Sequence, residues 1–356
     1  MIPVVVLATV DPVLRDSALF SLLTDQPGTG VVREDLDADA GTLRRVVGDE
    51  NGFVEDVTRP ADHGCPGCIL REDALPAVEA MVDSGRWQRI VLALPVSAAT
   101  VPAARPLADP CARRRLGIDL AGVVGVVDVD RAEDDLMGDE RVGDRGVALA
   151  AGDRRSVGEA LAAQITHADL VLTTGTSPVG LTLVDHLRGR HSARADLFDT
   201  RVRELFAARH SVRHAAARLD PRTLAPPEVP DAHGVWTLDL TSGRPVHPER
   251  FLRLLPDLAG GRVRTRGRFR VPTRPGLLGV LDGTGGHLSI GDAGPPGTAV
   301  GTRLVVTGTG DDREQRHRAF GEMLLTGAEL AGADDWAAVE DGLDDWLGPR
   351  WQTGPR

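Results

Sequence analysis

Short apolar runs that alternate with helical segments constrain the fold of this chain more than any other feature of its sequence. Uninterrupted, β-branched runs typical of buried strands lie at residues 3–7, 30–33, 89–94, 120–129 and 168–172. Helical patterns follow them at residues 15–23, 72–82, 156–167 and 181–187, and Ser156 with Glu159 forms a capping box at one of these starts. Strands that alternate with helices predict an α/β fold with a doubly wound, mainly parallel sheet.

The pattern changes after a proline-rich stretch, Ala225 to Pro230. Beyond it, strand-like stretches dominate and two helical segments, at 248–258 and 313–325, interrupt them. We therefore predict a first domain over 1–224, a linker over 225–232, a smaller α+β domain over 233–330, and an acidic tail over 331–356. The tail holds three of the five tryptophans, Trp336, Trp346 and Trp351, and either packs on its own domain or docks a partner.

Composition narrows the range of functions. The formal net charge of −11 argues against broad electrostatic binding to nucleic acid, free DNA included, or to an anionic membrane, and no apolar run approaches the length of a membrane span. Three cysteines, two of them close together, fit a reducing environment, so we expect a cytoplasmic protein. All 41 basic residues are arginine, which excludes chemistry that depends on a P-loop lysine in its usual form.

The turn between the first strand and the first helix, residues 8–14, contains no glycine. Without glycine this turn cannot point several backbone N–H groups at a phosphate, and Asp11 and Asp16 would repel one. The acidic run that follows the second strand, 34–39, reads as a solvated loop. Glu34 is the exception, because the carboxyl ends of parallel strands carry the ligand sites of such sheets.

A Cys-x-x-Cys loop at 62–71 is the strongest candidate site. Cys65 and Cys68 stand just before the predicted helix at 72–82, where the helix dipole lowers thiol pKa values. A tetrahedral zinc ion takes four ligands, so the two thiolates would leave two positions open. His63 and Glu34 could fill them. Two other interpretations are a reversible disulfide and a pair of unligated thiols. Cys111 we take to be a bystander.

Arginines repeat at every second position in the second domain. On one strand face they would form a positive stripe that could grip the phosphate of a nucleic acid or an acidic partner surface, or pair with local acids in solvent: Arg262, Arg264, Arg266, Arg268 and Arg270.

Several segments together resemble the CobW-like P-loop GTPases, a family of metallochaperones and metal-homeostasis proteins. Residues 3–23 resemble its strand, P-loop and first helix, and residues 63–71 resemble its Asn-Gly-Cys-x-Cys-Cys-Thr-Leu-Arg loop. Residues 244–251 and 319–326 resemble the start and end of its C-terminal domain. The resemblance covers nearly the whole chain and implies a P-loop-type sheet followed by a CobW C-terminal domain. Gly67 replaces the family's middle cysteine, which implies a weak or regulatory zinc site, and Glu34 aligns with an acid of the family.

The family's nucleotide motifs are degenerate here. Its P-loop glycines, lysine and threonines fall on Thr9, Pro12, Leu14, Arg15, Asp16 and Ser17. Its Walker B acid and glycine fall on Ala93 and Val96, and its base-reading motif falls on residues 174–177. The resemblance therefore implies a pseudo-GTPase that keeps the fold without binding GTP. A GTP-dependent zinc metallochaperone that uses Arg15 in an atypical P-loop, and a thiol-redox protein, are the alternatives.

One degenerate branch of the family, described in mycobacteria, shares this character. It resembles the present chain in the His-Gly-Cys-x-x-Cys loop and in residues 244–250 and 263–268. The resemblance implies a role in zinc-responsive ribosome hibernation, with a hibernation factor and the small ribosomal subunit as partners.

Overall fold

The computed structural model describes residues 1–61, 66–199, 202–207, 209–299, 301–332, 336 and 339–350, with the backbone alone at 66–71 and 202–203. Its contacts divide the chain into two compact units. Unit 1 comprises Met1–Asp135 and Glu140–Arg218, and unit 2 comprises Leu136–Asp139 and Leu219–Arg356. The division at Arg218 precedes the linker predicted at 225–232, and the predicted tail falls within unit 2.

Unit 1 is built on one large sheet of eight strands. In chain order they are β1 (Ile2–Ala8), β2 (Thr29–Asp37), β3 (Thr42–Asp49), β4 (Gly52–Pro60), β5 (Arg89–Ala93), β6 (Ile118–Asp128), β7 (Leu170–Thr174) and β8 (Ala193–Asp196). Their spatial order is β4-β3-β2-β5-β1-β6-β7-β8. In this order, every neighbouring pair after β2, from β2-β5 to β7-β8, is parallel. The mainly parallel sheet predicted from the sequence is confirmed.

The solvated loop predicted at 34–39 is wrong for four of its six residues. Residues 34–37 continue β2, which pairs antiparallel with β3, and β3 pairs antiparallel with β4. The hairpin of β3 and β4 was missed by sequence reasoning, although Asn51-Gly52 is a hairpin signal. This extension brings the acids of β2 beside the basic residues of β3.

Helices cover both faces of the sheet. They are α1 (Pro12–Asp25), α2 (Pro66–Asp83), α3 (Val101–Ala108), α4 (Pro110–Leu116), α5 (Ala132–Met137), α6 (Val157–His167), α7 (Pro178–Leu187), α8 (Val202–Ala207) and α9 (Val212–Leu219). Alternate residues of β1 enter two different cores: Val4 and Val6 pack with α2 and α3, and Val5 and Leu7 pack with α1 and α8. This alternation makes the sheet doubly wound.

Unit 2 contains an antiparallel five-stranded sheet in the order β12-β11-β10-β13-β9. Its elements are β9 (Trp236–Ser242), α10 (Pro248–Ala259), β10 (Val263–Phe269), β11 (Gly279–Thr284), β12 (His287–Asp292), β13 (Thr302–Gly308), α11 (Arg313–Met323), α12 (Gly327–Ala331) and α13 (Asp344–Leu347). Phe251 of α10, Phe269 of β10 and Phe320 of α11 lie in one core with inward residues of the strands. The α+β character predicted for the second domain is confirmed.

Candidate functional site

The carboxyl ends of β1, β2 and β5 lie at one edge of the large sheet, where the sequence placed its candidate residues. The turn after β1 leads into α1, and Asp11 is the N-cap of that helix. The Asp11 carboxylate accepts hydrogen bonds from Val13 N (2.7 Å) and Leu14 N (3.0 Å). A carboxylate therefore takes the N–H groups and the positive helix end that a phosphate would use.

Residues near the ends of β5 and α6 contact the same turn. Thr9 and Val10 are buried, and the Thr9 carbonyl accepts from Ser97 N (2.9 Å) and from Gln164 Nε2 (3.3 Å). Ser97 adopts φ 67°, in the left-handed region that a non-glycine residue rarely occupies. The side chain of Gln164 also donates to the Ala98 carbonyl (2.9 Å). These contacts fix the turn as a closed structure.

Arg15, at the family's lysine position, is 1% exposed. Its Nη1 donates to the carbonyl oxygens of Glu34 (3.1 Å) and Leu94 (3.2 Å), and its Nη2 contacts the carboxylate of Asp35. The guanidinium is thus committed to the ends of β2 and β5.

The remaining P-loop positions serve the helix itself. Pro12 is the first residue of α1, and Leu14 packs in the core with Leu19 and Leu22. Asp16 pairs with Arg33 (3.1 Å), and the Ser17 hydroxyl donates to the Val13 carbonyl (2.9 Å).

The other two nucleotide motifs also lack ligand chemistry. Ala93, at the Walker B position, is fully buried, and Val96 is half-buried. After β7, the backbone N–H groups of Thr176 and Ser177 donate to the carboxylate of Asp130 at 2.9 and 2.8 Å. As at Asp11, a carboxylate of the chain itself accepts the hydrogen bonds of backbone N–H groups, here just before α7.

Glu34 is the most unusual residue of this edge. It is completely buried, and within the described chain neither of its carboxylate oxygens has a hydrogen-bond partner. Burial raises the pKa of its carboxyl well above the usual range, the nearby Asp73 raises this pKa further, and Arg45 lowers it. Buried polar atoms without a partner point to a ligand, and a carboxylate is a common metal ligand.

Asp73 and Arg45 are charged neighbours of Glu34, and neither was anticipated from the sequence. Arg45 lies opposite Glu34 in the ladder of β2 and β3, and its Nη1 donates to Asp73 at 2.7 Å. Asp73 belongs to α2, the helix that also carries Cys68. This helix begins at Pro66, six residues before the predicted start at Glu72, so Cys68 belongs to its first turn.

The thiol part of the predicted zinc site cannot be compared with these contacts. His63 and Cys65 lie outside the described residues, as does the side chain of Cys68. Within the described part of the chain, three or more metal-ligating side chains do not come together anywhere. Cys111 is an exposed free cysteine.

The arginines of the stripe do not form one open face, and two of them pair with a local acid, which was one of the two predicted outcomes. Only three of its members lie within β10, and of these Arg264 and Arg268 are buried. Asp282 of β11 lies opposite Arg266 in the antiparallel register, 3.5 Å from its side chain, and also contacts Arg264, which is diagonal to it. Arg270 donates to the Pro275 carbonyl (2.8 Å), and Arg262 is exposed. Cross-strand pairing with Asp282, which spacing alone does not reveal, involves two of the five arginines.

The described part of the acidic tail packs on unit 2. Leu343 and Leu347 enter its core, and Trp336 donates to the Glu329 carbonyl at 3.2 Å. Trp346 is 45% exposed, and Trp351 lies outside the described residues.

Part of the second domain matches a known family model, and most of the chain is similar to curated mycobacterial proteins. Residues 235–324 match the family model described as "Cobalamin synthesis protein cobW C-terminal domain". The chain is 26% identical over 325 residues to the zinc chaperone Rv0106 of Mycobacterium tuberculosis, covering 80% of this chain and 78% of that protein. It has the same identity and coverage with the uncharacterized protein Mb0109 of Mycobacterium bovis. The domain match and these relatives support a CobW-like family.

Two solved structures are similar over most of the chain. One is the Zn(II)-bound YjiA GTPase from E. coli, with 16% identity and a TM-score of 0.36, covering 90% of this chain and 98% of that chain. The other is a Zn(II)-bound triple mutant of the same GTPase with one glutamate and two cysteines changed to alanine, with 14% identity, a TM-score of 0.35 and the same coverage. Of the helices in the described part of our chain, none combines the length and hydrophobicity that crossing a membrane requires.

Proposed function

We propose that this protein is a zinc-responsive regulatory member of the CobW-like family that has no ordinary GTPase activity. The observation that carries the proposal is the buried carboxylate of Glu34, whose oxygens lack a partner in the described chain, at the edge where the helix carrying Cys68 also packs. The name of the mycobacterial zinc chaperone supports an association with zinc.

Zinc fits the donor set. Glu34, Cys65, Cys68 and His63 would supply one carboxylate, two thiolates and one imidazole, a set suited to tetrahedral Zn²⁺. With only two cysteines the site would bind more weakly than a three-cysteine site, which suits a sensor. Zinc would hold Glu34 deprotonated against its raised pKa, so that binding zinc also releases a proton.

Two contacts at the turn after β1 support the absence of ordinary GTPase activity. Asp11 takes the helix N–H groups, and Arg15 is turned toward the ends of β2 and β5. A nucleotide phosphate would have to displace the Asp11 carboxylate and would meet its charge. The chain has no lysine that could replace the one lost.

For the regulatory output we propose ribosome hibernation under zinc limitation, as the resemblance to the mycobacterial branch implies. The zinc-free protein would recruit a hibernation factor to the small ribosomal subunit. Within the arginine stripe, the two residues that we propose for such a contact are Arg262, which is exposed, and Arg270, which is half-buried.

The second candidate is a GTP-dependent zinc metallochaperone, and the Mycobacterium tuberculosis relative, a zinc chaperone by name, favours its zinc chaperone part. It requires a saturable, magnesium-dependent GTP site. A thiol-redox protein, the third candidate, requires a Cys65–Cys68 disulfide that forms and is reduced reversibly.

Parallel titrations of the reduced protein with zinc and with GTP–Mg²⁺ test the proposal. We expect zinc to compete with a chromophoric chelator and GTP to give no calorimetric signal. The double substitution Cys65→Ala/Cys68→Ala should abolish zinc binding, and Glu34→Gln should weaken it by about 10–100-fold, because one ligand loses its charge.

Glu50→Gln is the matched control, since Glu50 accepts only a solvent-exposed hydrogen bond from Gly28 N (3.2 Å) and should leave zinc affinity unchanged. Zinc binding that survives the double cysteine substitution would refute the metal site. Saturable GTP binding would restore the metallochaperone function.

A further inference from the structure

Arg15 connects the degenerate phosphate loop to the backbone of Glu34. The parallel ladder between β2 and β5 ends at the pair Arg33–Ala93. The next residue of each strand, Glu34 and Leu94, offers a carbonyl oxygen, and the same Nη1 of Arg15 donates to both, at 3.1 and 3.2 Å. Arg15 therefore extends the contact between the two strands by one step beyond their last pair.

The guanidinium is held from its other side by acids. Its Nη2 contacts Asp35, and Asp35 in turn accepts from Arg33 Nε at 2.9 Å. Arg33 also reaches Asp16, one residue after Arg15 on α1, at 3.1 Å. Two arginines and two aspartates thus form a charge-balanced network that ties the first turn of α1 to the end of β2.

We propose that Arg15 is a positioning residue for the metal site, because its hydrogen bond to the Glu34 carbonyl fixes the backbone from which the Glu34 carboxylate projects. This inference rests on the proposed zinc site. In a protein with a working phosphate loop, a lysine at this position would face the nucleotide. Here an arginine faces the metal ligand, so zinc affinity is set by a permanent contact and does not depend on GTP.

The physical basis is the difference between an arginine fork and a lysine ammonium. The planar guanidinium reaches two carbonyls and a carboxylate together, whereas an ammonium on a flexible stem is a single point of donation. Loss of one buried donor leaves the Glu34 or Leu94 carbonyl unpaired, and the end of β2 can shift. A ligand displaced by such a shift lowers metal affinity, as loss of outer partners of metal ligands generally does, by about 10–100-fold.

Arg15→Lys tests this inference with two probes, zinc and cobalt(II). We expect zinc affinity to fall by about 10–100-fold in chelator competition. With cobalt(II), the thiolate-to-cobalt charge-transfer band should persist while the d–d bands change, because both thiolates remain and the carboxylate moves. A loss of general stability would not produce this selective change.

Arg44→Lys is the matched control on the same sheet. Arg44 makes a bidentate pair with Asp56, at 2.9 and 2.6 Å, on an exposed face of the sheet. Its replacement should leave zinc affinity and the cobalt spectrum unchanged. Thermal unfolding of the zinc-free variants shows whether each is folded.

If Arg15→Lys does not fold, Asp35→Asn provides a milder version, since it keeps Arg15 and removes the charge that anchors its Nη2. We then expect a smaller loss of zinc affinity with the same change in the d–d bands. Wild-type affinity and spectrum in a folded Arg15→Lys or Asp35→Asn variant would overturn the role of Arg15 alone. Wild-type zinc binding by Cys65→Ala/Cys68→Ala would instead overturn the proposed site and this inference with it.

Discussion

Aspartate side chains accept the hydrogen bonds of backbone N–H groups at two turns that lead from a strand into a helix. Asp11 supplies a carboxylate to the N–H groups of Val13 and Leu14, and Asp130 does the same for Thr176 and Ser177. Asp11 satisfies donors in the first turn of α1, Asp130 satisfies donors just before α7, and each adds charge that a phosphate would avoid. Loss of the nucleotide motifs therefore carries no penalty in unpaired backbone groups at these four positions.

A buried histidine of unit 1 gives a prediction at this scale. His167 is 3% exposed, and its Nδ1 lies 2.7 Å from the Thr100 hydroxyl. Burial, together with the neighbouring His210 and Arg218, lowers the pKa of His167 to about 4. The folded protein therefore keeps this imidazole neutral, whereas the unfolded chain binds a proton below about pH 6.5.

Stability should consequently fall as the pH decreases from about 6.5 toward 4. His167 alone should account for about 2 kcal/mol of unfolding free energy between about pH 7.5 and pH 5. Urea unfolding at both pH values, for wild type and for His167→Gln, measures this share. An equal pH dependence in the two proteins would exclude His167 as its source.

At the scale of elements, helix α2 shows what an early helix start changes. It begins at Pro66, so Cys68 stands inside its first turn and Asp73 one and a half turns later beside Arg45. The sequence placed the start at the acidic Glu72-Asp73 pair because such residues favour a first turn. A proline at the first helical position is the competing signal, and here it decided.

The segment that leads into the short helix α13 gives a prediction at the scale of elements. A buried ion pair fixes this segment within unit 2. Arg274 and Asp341 have side chains that are 2% and 1% exposed, and Arg274 Nε donates to Asp341 at 2.8 Å. Asp341→Asn would leave a buried, incompletely neutralised guanidinium. We expect unfolding of the protein in urea to require about 3–5 kcal/mol less free energy.

Asp344→Asn is the control for this substitution. Asp344 pairs with the same arginine but is 63% exposed, so its loss should cost at most about 1 kcal/mol. Similar effects for both variants would mean that the tail is not held through Asp341.

At the scale of the whole molecule, the acidic protein would need a local site to approach an RNA-rich partner, since its net charge is −11. We expect the zinc-free protein to co-sediment with purified small ribosomal subunits more than the zinc-loaded protein does. Arg262→Ser/Arg270→Ser should reduce this binding and weaken its salt dependence, because two phosphate contacts are lost.

Arg313→Ser serves as the control, since Arg313 is 47% exposed and pairs with Asp231 at 2.8 Å. Binding that ignores both zinc and the two arginines would argue against the proposed output. The zinc titration described above would remain valid in that case.

The sequence by itself determined the class of fold, because buried strands and amphipathic helices carry their periodicity in local residue order. It also identified the degenerate phosphate turn, the capping box at Ser156 and Glu159, and Glu34 as the exceptional acid of its run. These features depend on neighbours in the chain, which a pattern can register.

Only the tertiary structure decided the surroundings of Glu34 and the fate of the arginine stripe. Arg45 and Asp73 meet Glu34 through a hairpin and a helix distant in sequence, and Asp282 reaches Arg264 through strand register. Arg15 bridges Glu34 and Leu94, which are 19 and 79 residues away. Desolvation and pairing arise from such long-range contacts, so the charge of a residue in a sequence does not reveal whether it will face solvent, a partner or a metal.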